Sequence, residues 1–324
     1  MQRHSTGLVS CLMIAVLCGL AAFVHAQARP SWGRIGIMPF DRAHSAAAEI
    51  DGHIYVVGGA SRGVDASALT WEYDVRAGTW RELAVMPAVA SHAGAVALNG
   101  KLYVIGGFAA GEHSASVDRV FEFDPATNVW RARAPLPSPR GASGSVAFNG
   151  RIHVIGGRDA NGKTVASHEI YDPGRNTWSE GSPLPLARDH AGIALIAGRI
   201  HVIGGRLDST ADSTGRHDVY DPATDSWTQV APLPTPRSDG MAFVIKSRIV
   251  YAGGECKNAA SGTVFSEVDA FDPNTNTWEA QPSMTQGRHA AAAVTGDREV
   301  YILGGERGCG DSGPTNDLLV FRWP

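Results

Sequence analysis

Along most of this chain a segment of small apolar residues meets a two-residue polar turn, and the turn opens a nearly unbroken apolar run that stops at a pair of glycines. HAGAVAL (92–98), Asn99-Gly100 and KLYVIGG (101–107) show the pattern, and RIHVIGG stands word for word at 151–157 and again at 199–205. Asn-Gly is suited to a type I′ hairpin because both central residues tolerate positive φ; Asp51-Gly52 and Asn149-Gly150 repeat the signal. The apolar run alternates too little for a sheet with one wet face, so both of its faces are expected to be buried. A third segment ends in an aromatic residue. Asp-Pro at 124/125, 172/173, 221/222 and 272/273 then starts a turn, with the aspartate first and proline pre-set at the second position. A tryptophan segment follows, and a proline-rich link such as PLPSPR leads to the next round.

The rounds are periodic. Gly-Gly pairs fall at 58/59, 106/107, 156/157, 204/205, 253/254 and 304/305, at intervals of 48, 50, 48, 49 and 51. Trp80, Trp130, Trp178, Trp227 and Trp278 keep the same step, each seven residues after Tyr73, Phe123, Tyr171, Tyr220 or Phe271. Each unit therefore reads as four short antiparallel strands. One such sheet cannot cover two apolar faces alone, so neighbouring sheets must do it, and units stacked around an axis make a β-propeller. Small residues of the first strand (Ala46, Ala47, Ala48; Gly94, Ala95; Gly144, Ser145) suit the crowded centre, and Trp and Tyr suit the wide outer space.

Gly-Gly, then Tyr or Phe, then Trp seven residues later, at this period, resembles the kelch repeat, and the resemblance covers nearly all of the chain after its leader. Six Gly-Gly pairs have only five tryptophans downstream of them. The missing one is Trp32, which stands seven residues before Pro39 as Trp80, Trp130, Trp178 and Trp227 stand seven before Pro87, Pro137, Pro185 and Pro234. The expected fold is therefore all-β, a six-bladed propeller spanning 27–324. Its blade cores are expected near 42–86, 90–136, 140–184, 188–233, 237–284 and 288–323, the last completed by residues 31–38.

The first 26 residues belong to a different regime. Arg3 and His4 precede an apolar stretch from Leu8 to Val24, and Val24-His25-Ala26 offers a signal-peptidase site, so 1–26 reads as a signal peptide; an uncleaved anchor is the competing reading. A periplasmic or secreted ring that leaves the membrane after cleavage follows. Of four cysteines, Cys256 and Cys309 remain in the mature chain, in equivalent loops of adjacent units, and a disulfide between them is expected against the alternative of two free thiols. Neither has zinc-like spacing, so neither a metal nor a cofactor is expected. With 38 glycines and 18 prolines the chain is turn-rich, and a net charge of −4 without a Lys/Arg run excludes nucleic acid as the natural partner.

Residues that recur in every unit read as structure. Arg42, Arg140, Arg188, Arg237 and Arg288 share one position, broken by Ala90, and are expected to fix the link between blades through carbonyls. His153 and His201 hold the slot of Tyr55, Tyr103 and Tyr301 and read as packed rings. Departures from symmetry carry more information. Two residues past the arginine position stand His44, His92, Ala142, His190, Asp239 and Ala290, with His289 one residue off, and these are expected to ring the mouth of the central channel. His190 with Asp239 is the candidate acid/base pair, and Arg188 and Arg237 beside it are candidates for holding an anionic group.

Two classes of function stay open. The first is a non-catalytic module, a monomer whose loops bind a protein or a glycan. The second follows from the resemblance, since kelch proteins include a periplasmic sialic-acid mutarotase and copper-dependent galactose oxidases. The mutarotase type needs only acid/base residues and arginine near the mouth; the copper type needs a Tyr-Cys crosslink and a His/Tyr set that this sequence does not match.

Overall fold

The computed structural model describes residues 29–110, 114–310 and 312–324; the expected signal peptide lies outside them. Among these residues the strands form six four-stranded antiparallel sheets, joined by loops that include one 3₁₀ turn at Thr210–Asp212. In the first complete blade Ala46–Ile50, His53–Val57, Thr70–Asp74 and Thr79–Glu82 lie side by side in chain order. The first strand of every blade lines the axis. No helix of the described residues is long and apolar enough to cross a membrane.

The sixth sheet closes the ring from both ends of the chain. Its order is Ser31–Ile37, Asp317–Arg322, Glu299–Leu303, Ala292–Thr295, so the segment expected at 31–38 supplies the outer strand. Trp32 lies opposite Phe321 with ring centroids 4.8 Å apart, as Trp80 lies opposite Tyr73 at 4.9 Å. Its Nε1 donates to Pro282 O of the fifth blade at 3.0 Å. Trp130, Trp178, Trp227 and Trp278 make the same bond to Ala84, Ala134, Ser182 and Ala231, each at 2.9 Å. The tryptophan thus satisfies its one polar atom on the neighbouring blade while its ring fills the gap between them.

The core is divided among the junctions. Six apolar clusters occur, one at each contact between blades; at the first, Tyr55, Val57, Leu83 and Met86 of one blade face Leu102, Val104 and Phe123 of the next. Gly-Gly marks where the backbones meet most closely. Gly106 has φ +63, and a Cβ there would stand 2.2 Å from Arg140 O; at Gly107 (φ +98) it would stand 2.6 Å from Ser91 O. Both conformation and space exclude a side chain.

The repeated arginines serve these junctions as expected. Each offers its carbonyl to the second glycine of the preceding blade, as in Gly157 N→Arg188 O at 3.0 Å; the Arg42 guanidinium stands over the Phe40 ring, 5.0 Å from its centroid, and those of the other four turn into their own blades. There Arg140, Arg188, Arg237 and Arg288 pair with Glu169, Asp218, Asp269 and Asp317 at 2.7–3.0 Å, with guanidinium side chains no more than 2% exposed. Where the arginine is Ala90, the residue at the acid's position is Phe121, so both charges are absent together.

Two junctions carry buried histidine pairs. His153 Nδ1 stands 2.9 Å from His168 Nε2, and His201 Nδ1 stands 2.8 Å from His217 Nε2. His168 Nδ1 and His217 Nδ1 face Ser182 O and Ala231 O, both at 3.2 Å. A carbonyl only accepts, so these Nδ1 atoms carry the hydrogens, the Nε2 atoms are acceptors, and His153 and His201 donate to them. All four rings are neutral. Burial lowers the pKa of His153 and of His201 to about 4 and that of His217 to about 3, and it lowers that of His168.

Candidate functional site

At the start of each innermost strand the chain makes a left-handed step. His44, His92, Ala142, His190, Asp239 and Ala290 all have φ between 50 and 55. In this conformation each N–H points at the carbonyl of the equivalent residue one blade back: His92 N→His44 O, Ala142 N→His92 O, His190 N→Ala142 O, Asp239 N→His190 O, Ala290 N→Asp239 O and His44 N→Ala290 O, at 2.8–3.3 Å. The six bonds close a circle around the axis. A non-glycine residue in this region costs about 1–2 kcal/mol, and the circle offsets that cost by pairing backbone groups that would otherwise face the channel. Ligand chemistry at the mouth is left to side chains.

On the channel side of the circle lies a cavity of about 150 Å³, lined by the six circle residues and by Ser45, Ala93, Ser143, Ala191, Gly240 and Ala291. On the other side the residues that follow each Gly-Gly form a second ring: Ala60, Phe108, Arg158, Arg206, Glu255 and Glu306. Each pairs through its backbone with the residue just before the circle, as in Asp189 with Arg206 and His289 with Glu306. The long loops after Gly-Gly therefore share the face of the mouth.

This second ring is strongly asymmetric. Across the fourth, fifth and sixth blades it builds a charged network. His190 Nδ1 lies 2.5 Å from Asp189 Oδ1, Arg206 Nε donates to the same oxygen at 3.0 Å, and Arg206 Nη1 donates to Glu255 Oε2 at 2.8 Å. His289 Nδ1 lies 2.8 Å from Asp239 Oδ2, and its Nε2 donates to Gly308 O at 2.9 Å. Asp239, Glu255 and His289 bring donor atoms within 4.8 Å of one another. Across the first two blades the mouth is aromatic instead: His44 and His92 stack 3.6 Å apart and within 19° of parallel, with Phe108 5.1 Å from His92. A second cavity of about 230 Å³ separates this stack from the loop at 61–65.

Partners decide the charge of each imidazole. Burial alone lowers the pKa of His289, but the hydrogen bond and charge of Asp239, with help from Glu255, raise it to about 9. His190 is opposed by burial and by Arg206, and the Asp189 bond still moves it upward. Asp239 is held below the usual carboxylate range, since its bond to His289 outweighs its burial. Glu255 moves upward through burial and the nearby Asp239. Among the described residues no carboxylate is bonded to His92, and burial with the adjacent His44 and His190 takes it well below the ordinary value.

Of the residues expected at the mouth, His44, His92, His190 and Asp239 line it and His289 lies buried behind Asp239, but their pairing differs from the expectation. His190 pairs with its chain neighbour Asp189, and Asp239 pairs with His289. The reason is the left-handed step, which turns each circle residue toward the neighbour just before it in the next or the same blade. Arg188 and Arg237 are not at the mouth. Their guanidiniums are fully buried in the blades on Asp218 and Asp269, out of reach of an external anion. Asp189, Arg206, Glu255 and Glu306 escaped the sequence reading. Lining up the residue after each Gly-Gly (Ala, Phe, Arg, Arg, Glu, Glu) would have exposed the break in symmetry. The disulfide Cys256–Cys309 is formed as expected, with Cα atoms 4.7 Å apart.

The chain matches the family model of the KLHDC2/KLHL20/DRC7 Kelch-repeats domain over residues 30–183 and 94–305. Among solved structures it is similar to one described as "Structure of YjhT", with a TM-score of 0.76 and 18% identity over 88% of this chain and 96% of that one. A search of curated protein sequences finds no match.

Proposed function

Because the chain belongs to the kelch-repeat family, a ring of blades with its loops gathered on one face, we propose that it is an exported recognition module that holds a protein or glycan on that loop face. The observation that carries this reading is the size of the mouth. Its cavity of about 150 Å³ falls below the roughly 300–1,000 Å³ of ordinary small-molecule sites, and the His190 side chain is 2% exposed. The loop face, by contrast, is a broad surface built from cross-braced parts. Ser116 Oγ donates to Arg158 O, Thr164 Oγ1 reaches Asp208 across the next junction, and Cys256–Cys309 ties two further loops. Such bracing lowers the ordering cost of binding. Arg62, Asp65, Lys163, Asp208, Asp212 and Lys257 are exposed along it, which suits a polar partner. Export is supported by the apolar leader at Leu8–Val24 and by the disulfide.

The alternative is a cofactor-free epimerase of the sialic-acid mutarotase type. The Asp189–His190 bond favours it, as a carboxylate orienting an imidazole, but His190 Nε2 lies against Arg206 rather than the open channel. Two measurements separate the readings. Capture of a partner from extracellular or periplasmic fluid should be lost with Arg62→Glu/Lys163→Glu on the loop face and kept with Arg76→Glu on the opposite face. A rise in melting temperature with free sialic acids or hexoses, unchanged by the loop-face substitutions and abolished by His190→Ala, would replace the recognition reading with the enzymatic one.

A further inference from the structure

The junction between the fifth and sixth blades has a feature that neither recognition nor blade packing requires. Asp239 comes from the backbone circle, Glu255 from the position after Gly-Gly, and His289 from the start of the sixth blade; Asp239 and His289 lie 50 positions apart, and packing of the sixth blade on the fifth brings them together. Their donor atoms lie within 4.8 Å of one another, and Glu255 and His289 are 7% and 1% exposed. The orientation of the histidine is the telling detail. Its Nε2 faces Gly308 O at 2.9 Å, and a carbonyl can only accept, so Nε2 carries a hydrogen. In the neutral ring Nδ1 then presents a lone pair to Asp239 Oδ2 at 2.8 Å. Two acceptors facing each other at that distance need a cation between them, either a proton or a metal ion.

We infer that Asp239 Oδ2, a carboxylate oxygen of Glu255 and His289 Nδ1 form a site for a divalent transition-metal ion of the zinc class at this junction. One imidazole and two carboxylates are the donor types that borderline ions accept, at about 2.0–2.2 Å from the metal. With such bonds neighbouring donors sit about 3.4 Å apart, so the Asp239–His289 separation widens by about half an ångström when an ion replaces the proton. A histidine that gives its other N–H to a backbone carbonyl is the usual outer support of a metal-bound imidazole. Glu255 spends one oxygen on Arg206 Nη1 and has the second to give. Asp239 also lines the channel cavity, from which an ion and its water ligands can reach the site.

The disulfide belongs to the same device. Cys256 follows Glu255, and Cys309 follows Gly308, the residue that orients His289. The crosslink therefore fixes one ligand and the outer support of another, on two different blades. The site is independent of any partner on the loop face.

The test uses tag-free, disulfide-intact protein dialysed against chelator and titrated with Zn²⁺ by calorimetry, with bound metal counted by elemental analysis. One zinc per chain is expected in the wild type. Asp239→Asn and Glu255→Gln, which keep shape and backbone circle, should each weaken binding by more than the 10–100-fold of an outer-shell loss. Reduction of the disulfide should weaken it further, and Arg76→Glu should leave it unchanged. Because a variant could fail to fold, Co²⁺ is also added to the wild type, where visible d–d bands of a low-symmetry nitrogen/oxygen site are expected. No stoichiometric zinc and no cobalt spectrum in the wild type, or zinc retained at full affinity in both folded variants, would leave a proton as the bridging cation and overturn the inference.

Discussion

Two regions of this propeller bury histidines to a similar degree and treat them oppositely. Between the third, fourth and fifth blades, His153–His168 and His201–His217 form neutral pairs that bond to each other and to a backbone carbonyl. At the mouth, His190 and His289 face carboxylates and move upward in pKa, His289 to about 9. Burial is common to both regions, so burial does not set the charge. The partner does, and the partner follows from where each position lies in the repeat. Wall positions are copied from blade to blade and are filled by whatever packs: Tyr55, Tyr103, His153, His201, Val250 and Tyr301 hold one slot. Mouth positions differ from blade to blade, and there unlike charges assemble.

The largest effect that separates wall from mouth concerns the arginines. Arg188 and Asp218 are both fully buried, 2.9 Å apart. Asp218→Ala should cost about 3–5 kcal/mol because it strands a buried guanidinium, read as a lower urea midpoint. Arg188→Ala/Asp218→Phe copies the Ala90 and Phe121 of the second blade and should recover at least half of that loss. A double variant no more stable than the single one would show that the second blade tolerates its apolar pair for reasons of its own. At the mouth the corresponding brace is covalent. Cys256 and Cys309 lie 53 positions apart in the chain, and replacing both with serine should lower stability by about 2–4 kcal/mol, with the loss confined to non-reducing conditions.

Acid should distinguish the two kinds of histidine next. The wall histidines have folded pKa values depressed to about 4 and about 3, against about 6.5 in the unfolded chain. Between these values the unfolded state binds more protons, so their contribution is fully present above pH 6.5 and is lost as pH falls toward 4. About 2 kcal/mol for each of these histidines, and so about 4 kcal/mol for the His201–His217 pair, should be gone by pH 5. His201→Val/His217→Val, which copies Val250 and Val268 of the fifth blade, should flatten the stability profile between pH 7.5 and 5. An unchanged slope in that variant would move the acid sensitivity to the mouth, where pKa values are shifted the other way and acid should do little.

The fold was almost wholly legible because a repeat states its rule six times. Trp32 could be assigned to the last sheet from spacing alone, since the same tryptophan-to-proline step occurs in four other units. The repeated arginines were legible for the same reason, as was the disulfide, whose cysteines stand at matching points of neighbouring loops. The mouth was legible only in part. Which column of residues surrounds the axis follows from the repeat, but which members of it touch depends on the left-handed step at the circle. No turn residue announces that step, since Ala142 and Ala290 adopt it as readily as Asp239. Hence spacing alone matches His190 to Asp239 in place of Asp189, and it gives no sign that Arg206 and Glu255 reach the mouth. Arg188 and Arg237 show the converse error: a charged residue near a mouth in sequence is turned inward when its own blade supplies an acid.

The smallest effect is the one that tests the quiet half of the mouth. His44 and His92 stack, and His92 is held well below its ordinary pKa by burial and by the neighbouring histidines, so its contribution should be that of a neutral aromatic plate. Phenylalanine keeps the plate and loses only the 3.3 Å contact to Ser91 Oγ. The backbone at this position already has φ 52, which the substitution does not alter. His92→Phe should therefore change stability by less than about 1.5 kcal/mol, the range of a shape-conserving swap, and should leave its pH profile parallel to that of the wild type. A loss beyond that range, or a profile that changes shape near pH 6, would mean that His92 carries a proton in the folded ring. The division of the mouth into a charged half and an aromatic half would then fail, since the stack would have to be counted with His190 and Asp239.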